Sequence, residues 1–211
     1  MTDTGETGPR AGTRSSPFER YDAADVAALI REYPLAWVCA SHGGAASLLP
    51  LVGVFDAGGE LIELIGHFGR SNPLHAAFAA DPRAAILFSG PQSYISPRQA
   101  GRRNWGPTWN YAQVRIEAEI ELEPERTEAA LQVLVDMVEA NEAEPWCIDE
   151  LGERYPGMLA QIIGFRARVT DISGRFKLGQ DEDIDTLRSI LANLPDEALA
   201  RWMRRMNRAR L

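Results

Sequence analysis

The chain has 211 residues, 45% of them hydrophobic and 25% charged, which are the proportions of a globular domain and exclude collagen-like, coiled-coil and fully disordered chains. Thirty acidic against 22 basic residues give a formal charge of −8, which works against broad nucleic-acid binding because that needs a positive footprint. The two cysteines, Cys39 and Cys147, lie in unrelated contexts and support neither a disulfide scaffold nor a metal cluster. With no apolar run near the roughly 20 residues of a membrane span, a cytoplasmic protein without a membrane partner is expected.

Residues 1–17 are Gly, Thr, Ser and Pro with almost nothing to bury, and read as a disordered lead-in. Asp22 then suits the cap of a helix whose stripe is Val26, Leu29, Ile30 and Tyr33, stopped by Pro34. The period changes next. Strands are predicted over Leu35–Ser41, Ser47–Phe55 and Glu60–His67, with turns at His42–Gly44 and Asp56–Gly59. A helix is predicted from about Ser71 to Ala80, a strand over Arg83–Ser89, and a loop over Gly90–Gly106.

The cleanest local signal is Val114–Leu122, where apolar residues alternate with Arg115, Glu117, Glu119 and Glu121. That pattern makes a long antiparallel strand with one wet face, its glutamates solvated and not an acid–base pair. A helix over Thr127–Asn141 and a strand over Ile163–Val169 follow. The tail is helical, with Leu199, Trp202, Met203 and Met206 on one stripe and Arg201, Arg204, Arg205 and Arg208 opposite. Those arginines serve either an acidic or nucleic-acid partner, or the end of the helix dipole and an apolar surface beneath their stems. About six short strands joined mostly by turns, with helices interspersed, make a mainly β domain with flanking helices, a small barrel and not a Rossmann layout.

Two segments carry candidate chemistry. Gly66–Pro73 leaves a strand, turns, and enters a helix at Ser71 or Asn72. Arg70 beside that helix start suits a phosphate, while a plain N-cap with a solvated arginine explains the same residues. Pro107–Tyr111 sets Trp109, Asn110 and Tyr111 directly before the strong strand. Their rings and amide suit a flat heterocycle, or equally a packing cluster at a barrel mouth or dimer contact. The three histidines have no partners at metal spacing, and no nucleophile elbow, P-loop or C-x-x-C occurs.

These segments, in order, resemble the PaiB family, described as FMN-binding negative transcriptional regulators. The matching residues are Pro34-Leu35-Ala36, Leu49-Pro50-Leu51, Gly66-His67 with Arg70 and Asn72-Pro73, Gly90-Pro91 with Tyr94-Ile95-Ser96-Pro97, Pro107-Thr108-Trp109-Asn110-Tyr111, Pro145-Trp146, Gly164-Phe165, and Lys177-Leu178 with Gln180. The resemblance implies a split β-barrel of the flavin reductase and pyridoxamine phosphate oxidase type over residues 18–180, followed by a C-terminal helical extension over 181–211. It implies a homodimer with FMN at the subunit interface. On it, His67, Arg70, Ser71 and Asn72 hold the phosphate, the Leu49–Pro50–Leu51 backbone runs along the ring, and Trp109, Asn110, Tyr111 and Gln113 frame it. Lys177 sits near the ring edge, with Gln180 close by. It leaves room for a flavin-dependent oxidoreductase or flavin reductase, and for a DNA-associated repressor, which the net charge disfavours. The chain departs from the family at Leu48, where a His is usual, and after Pro97, where Arg98-Gln99 and Arg102-Arg103 replace Trp-Tyr and a Lys.

Overall fold

The computed structural model describes residues 16–211. The expected lead-in lies outside them except for Ser16, which caps a 3-10 turn over Pro17–Glu19, and Pro17, which begins that turn. Helix α1 (Ala23–Glu32) starts at the expected cap: Asp25 N–H donates to Asp22 Oδ1 at 2.9 Å, and Asp22 N–H donates to Asp25 Oδ2 at 3.2 Å. Two orphan donors are thus satisfied reciprocally. The helix buries Val26, Leu29 and Ile30.

Then come β1 (Leu35–Ala40), β2 (Ala46–Pro50), β3 (Val52–Phe55), β4 (Leu61–Gly69), α2 (Pro73–Ala80), β5 (Arg83–Ile95) and β6 (Thr108–Glu123). The chain continues through α3 (Thr127–Glu139), the short α4 (Tyr155–Leu159), β7 (Ile162–Lys177), α5 (Ile184–Asn193) and α6 (Glu197–Met206). All seven strands form one antiparallel sheet in the order β2-β1-β5-β6-β7-β4-β3.

The expected single strand over Ser47–Phe55 is instead two, because Leu51 leaves the ladder. Its N–H donates to Pro34 O at 2.9 Å and its side chain is fully buried. Consecutive β2 and β3 therefore lie on opposite edges of the sheet, which must roll so that those edges approach. The Gly90–Gly106 loop also needs correction: β5 runs on to Ile95 through an irregularity between Ser89 and Gln92. There Gly90 lies under α1, and a Cβ would come 2.4 Å from Leu29 Cδ1. Strand β7 likewise runs past Val169 to Lys177, paired throughout with β6.

Inward residues of the long strands, among them Ile86, Phe88, Val114, Ile116, Phe165 and Phe176, are fully buried. Helices α5 and α6 close one end of this core with Leu187, Ile190, Leu199, Trp202 and Met203. The Trp202 ring stacks on Phe176 at 5.9 Å, and Trp202 Nε1–H donates to Glu32 Oε2 at 3.0 Å. The arginine stripe of α6 lies against the acidic face of α1: Arg201 pairs with Glu32, Arg205 with buried Asp25 at 2.6 Å, and Arg208 with Asp22 at 3.8 Å. Three of the four arginines of that stripe thus pair with α1, a role that neither reading of the sequence named. No helix among the described residues is long and apolar enough to cross a membrane.

Candidate functional site

The first group of candidates sits where β4 ends. Arg70 N–H donates to Gln161 O at 2.8 Å and its Nε–H to Ala160 O at 3.1 Å. The guanidinium is thereby fixed through one edge, while its two Nη groups make no hydrogen bond among the described residues and point outward with exposed Ser71. Such a held fork matches a phosphate in two contacts and loses little entropy on binding. Asn72 caps α2, its Oδ1 accepting from Leu74 N–H at 3.0 Å, and its Nδ2–H donates to Ser47 Oγ at 2.9 Å. This contact ties the start of β2 to the corner. Leu51 completes it by packing on Gly66, whose absent Cβ would lie 2.5 Å from Leu51 Cδ2. Leu49 is buried in the core and Pro50 pairs across from Leu35.

The helix start itself offers less than its sequence suggests. Pro73 has no N–H, Leu74 N–H is taken by Asn72, and His75 N–H donates to Asn72 O at 2.9 Å. The dipole remains, but an anion here depends on Arg70 and Ser71 and not on free helix donors.

His67, opposite Gly164 across β4 and β7, is half-buried. Burial holds its pKa below the ordinary histidine value, so the ring is neutral at physiological pH. Its Nδ1 is fully buried without a hydrogen-bond partner among the described residues. An orphaned buried polar atom at this corner fits a site that accepts a polar guest.

The second group lies at the other end of β7. Trp109, Tyr111 and Gln113 alternate outward along β6, across from Tyr94 and Gln92 of β5 and from Lys177 and Arg175 of β7. Trp109 meets Tyr94 edge to face at 6.2 Å, and Arg175 Nε–H donates to the Tyr111 hydroxyl at 3.1 Å. Lys177 Nζ donates to Thr108 Oγ1. Gln113 lines a cleft of about 310 Å³ with Glu19, Arg115 and Arg175.

Two candidates do not join either group. Asn110 points inward, 3% exposed, with Nδ2 donating to Met203 Sδ at 3.6 Å. The expectation that it frames a ring alongside Trp109 fails, because adjacent residues of a strand face opposite sides. Gln180 is spent on the turn after β7, accepting from Leu178 N–H at 2.8 Å and donating to Phe176 O at 2.6 Å.

Sequence reasoning missed the surface between these groups. Trp37 lies across from Leu48 and Leu87, and Leu87 across from Arg115, so one outer face runs from β2 through β1 and β5 to β6. Of nine large hydrophobics left exposed among the described residues, Leu35, Trp37, Leu48, Tyr94 and Trp109 share that face. They form two apolar clusters, Leu35–Trp37–Leu48 and Tyr94–Trp109, with the polar Ser89, Gln92 and Gln113 between them, and exposed apolar clusters of this kind mark an interaction surface. The signal was present in the odd-numbered apolar residues of Leu35–Trp37 and in Leu48, which alternate against the core.

The fold is that of a split β-barrel domain, and the family match places it in the flavin-binding class. The chain belongs to the family described as "Putative FMN-binding domain", whose model matches residues 14–171, and FMN is the cofactor that this family implies. It is similar to Protease synthase and sporulation protein PAI 2 of Bacillus subtilis (strain 168), 27% identical over 184 residues, covering 85% of this chain and 87% of the relative. The PaiB resemblance read from the short motifs is thereby borne out. Among solved structures the fold is shared with the FAD and heme binding protein from Mycobacterium smegmatis (TM-score 0.54, 17% identity, 81% of this chain and 77% of the other). It is shared too with the flavocytochrome Anf3 from Azotobacter vinelandii (TM-score 0.55, 16% identity, 76% and 69%).

Proposed function

We propose that this protein binds FMN at the interface of a homodimer, each site built from the Arg70 corner of one protomer and the Trp109–Lys177 face of its partner. One observation carries the reading. The two candidate groups sit near opposite ends of β7 (Ile162–Lys177), and no hydrogen bond, ion pair or ring contact among the described residues joins them. A second copy seated on the exposed apolar residues of the outer face would bring the Trp109–Lys177 face of one protomer to the Arg70 corner of the other.

In that site Arg70 and Ser71 hold the phosphate, with neutral His67 behind them adding a polar atom without a second charge. Trp109 and Tyr111 give flat apolar walls, and Gln113 an amide for the edge of a heterocycle. The Lys177 ammonium, anchored on Thr108, lies on the same face and favours an electron-rich ring. Bound FMN supplies electron transfer through its isoalloxazine ring. The fixed Arg70 fork and the strand-borne aromatics act before any chemistry, by orienting the cofactor.

Purified protein mixed with FMN and desalted tests the reading, with light scattering on the same sample. A yellow species of twice the chain mass is expected. Colourless protein that leaves FMN fluorescence unquenched overturns it.

A further inference from the structure

The β5–β6 connection holds a second feature, separate from the corner at Arg70. Residues 96–105 are pinned from beneath. Ser96 N–H donates to Gln99 Oε1 at 2.8 Å, Ser189 Oγ–H donates to Gln99 O at 2.9 Å, Ala100 is buried, and Trp105 Nε1–H donates to Glu182 Oε2 at 3.0 Å. Gly101 (φ +71°) lets the backbone press on α5, where a Cβ would stand 2.8 Å from Ser189 Oγ. With Gln99 and Ala100 turned inward, Arg98, Arg102 and Arg103 are turned out. They line a cavity of about 530 Å³ together with Ser96, Pro97 and Gly101.

Three guanidiniums around one cavity repel one another, and the local carboxylates do not neutralise them. Arg102 pairs with Asp183 at 2.9 Å, but neither Arg98 nor Arg103 has a carboxylate within 4 Å among the described residues. Glu182 is already held by Trp105, and Asp183 also caps α5. This is a positive hollow on a chain of net charge −8. A second hollow of about 410 Å³ adjoins it through the shared residues Ser96 and Arg98 and continues past Tyr94 to Asn193 and Pro195. The two form a trough with an aromatic wall at one end and a cluster of forked cationic donors at the other.

We propose that this trough binds a phosphorylated small molecule of nucleoside-phosphate type, with its phosphoryl oxygens on Arg98, Arg103 and Arg102 and its flat ring against Tyr94. Arginine matches tetrahedral anions in bidentate fashion, and the pinned backbone leaves only the side chains to be ordered on binding. The inference goes beyond the flavin reading: no residue of the Arg70 corner lines either hollow, the arginine end shares no residue with the proposed flavin site, and only Tyr94 is common to the trough and the proposed dimer face.

Calorimetric titration of the full-length protein, saturated with FMN where FMN binds, tests this with three probes: inorganic pyrophosphate, ADP and adenosine. Pyrophosphate is expected to bind, ADP more tightly, and adenosine more weakly than either. The double variant Arg98→Ala/Arg103→Ala is expected to lose at least about tenfold in affinity for pyrophosphate and ADP while its affinity for FMN stays unchanged. Circular dichroism of that variant confirms that it is folded. Absence of pyrophosphate binding overturns the proposal, as does equal binding by the double variant. Loss of pyrophosphate binding in Arg70→Ala, with retention in Arg98→Ala/Arg103→Ala, would place the anion at the corner of β4 and overturns it too. Failure of FMN to bind, with pyrophosphate binding intact, sinks the flavin reading alone.

Discussion

The two faces of β6 and β7 use the same backbone for opposite ends. Inward, Val114, Ile116, Phe165 and Phe176 are fully buried and meet α6 through Trp202. Outward, Trp109 is 56% exposed beside Tyr94, with Tyr111 and Arg175 joined by a hydrogen bond. The inner face is satisfied within one chain. The outer face carries apolar area that nothing among the described residues covers, while Arg70 is held by Ala160 and Gln161 just before the opposite end of β7. That difference separates what folds the protomer from what a second copy and a cofactor complete.

Breaking the inner face has the largest expected effect. Trp202→Ala removes a buried ring stacked on Phe176 and its hydrogen bond to Glu32, and is expected to cost about 3–5 kcal/mol in denaturant unfolding. The outer face is broken by Trp37→Asp with Leu48→Asp, opposed residues that are half exposed in the protomer. Placing two carboxylates in an apolar contact is expected to weaken dimerisation by about a hundredfold or more, by light scattering across a dilution series, and to abolish FMN retention with it. Protomer secondary structure is expected to survive.

Arg70→Ala sharpens the contrast at the other end of β7. Its side chain is exposed, so unfolding stability is expected to stay within about 0.5 kcal/mol. Affinity for FMN, by fluorescence quenching, is expected to fall about tenfold with loss of the phosphate fork. The smallest effect concerns His67. Burial holds its folded pKa below 6.5, so the unfolded chain binds the proton more readily. The stability that neutral His67 contributes is complete above pH 6.5 and is lost as pH falls from there toward the folded pKa. Melting temperatures at pH 7 and pH 5.5 are expected to differ less in His67→Gln than in the wild type.

Much of this was legible in the sequence, and the failures have physical reasons. Asp22 and the stripe of Val26, Leu29 and Ile30 announced α1, and Val114–Leu122 announced β6, because local caps and strict alternation act on neighbouring residues. The break at Leu51 was not read: Ser47–Phe55 is a near-continuous apolar run, and Pro50, which has no N–H for a ladder, was its one local mark. Helix α5 falls within the helical extension expected over 181–211, though its own cap at Asp183 and stripe of Leu187 and Ile190 were not singled out. Arg70 and Asn72 were found by type, yet the occupied donors around Pro73 follow from hydrogen bonds that spacing does not show. The inward turn of Asn110 was available by counting back in twos from Val114. Outward Trp109, Tyr111 and Gln113 fall on the opposite parity.

A mixing experiment tests the composite site most directly. Arg70→Ala and the pair Trp109→Ala/Gln113→Ala each damage both sites of a homodimer, from opposite sides. Co-refolding the two variants in equal amounts gives mixed dimers in which one of the two sites is intact. Recovery of about a quarter of the wild-type FMN capacity at full affinity is the result required by a site shared between protomers. Capacity no greater than that of the separate variants would mean that Arg70 and the Trp109 face do not meet across an interface.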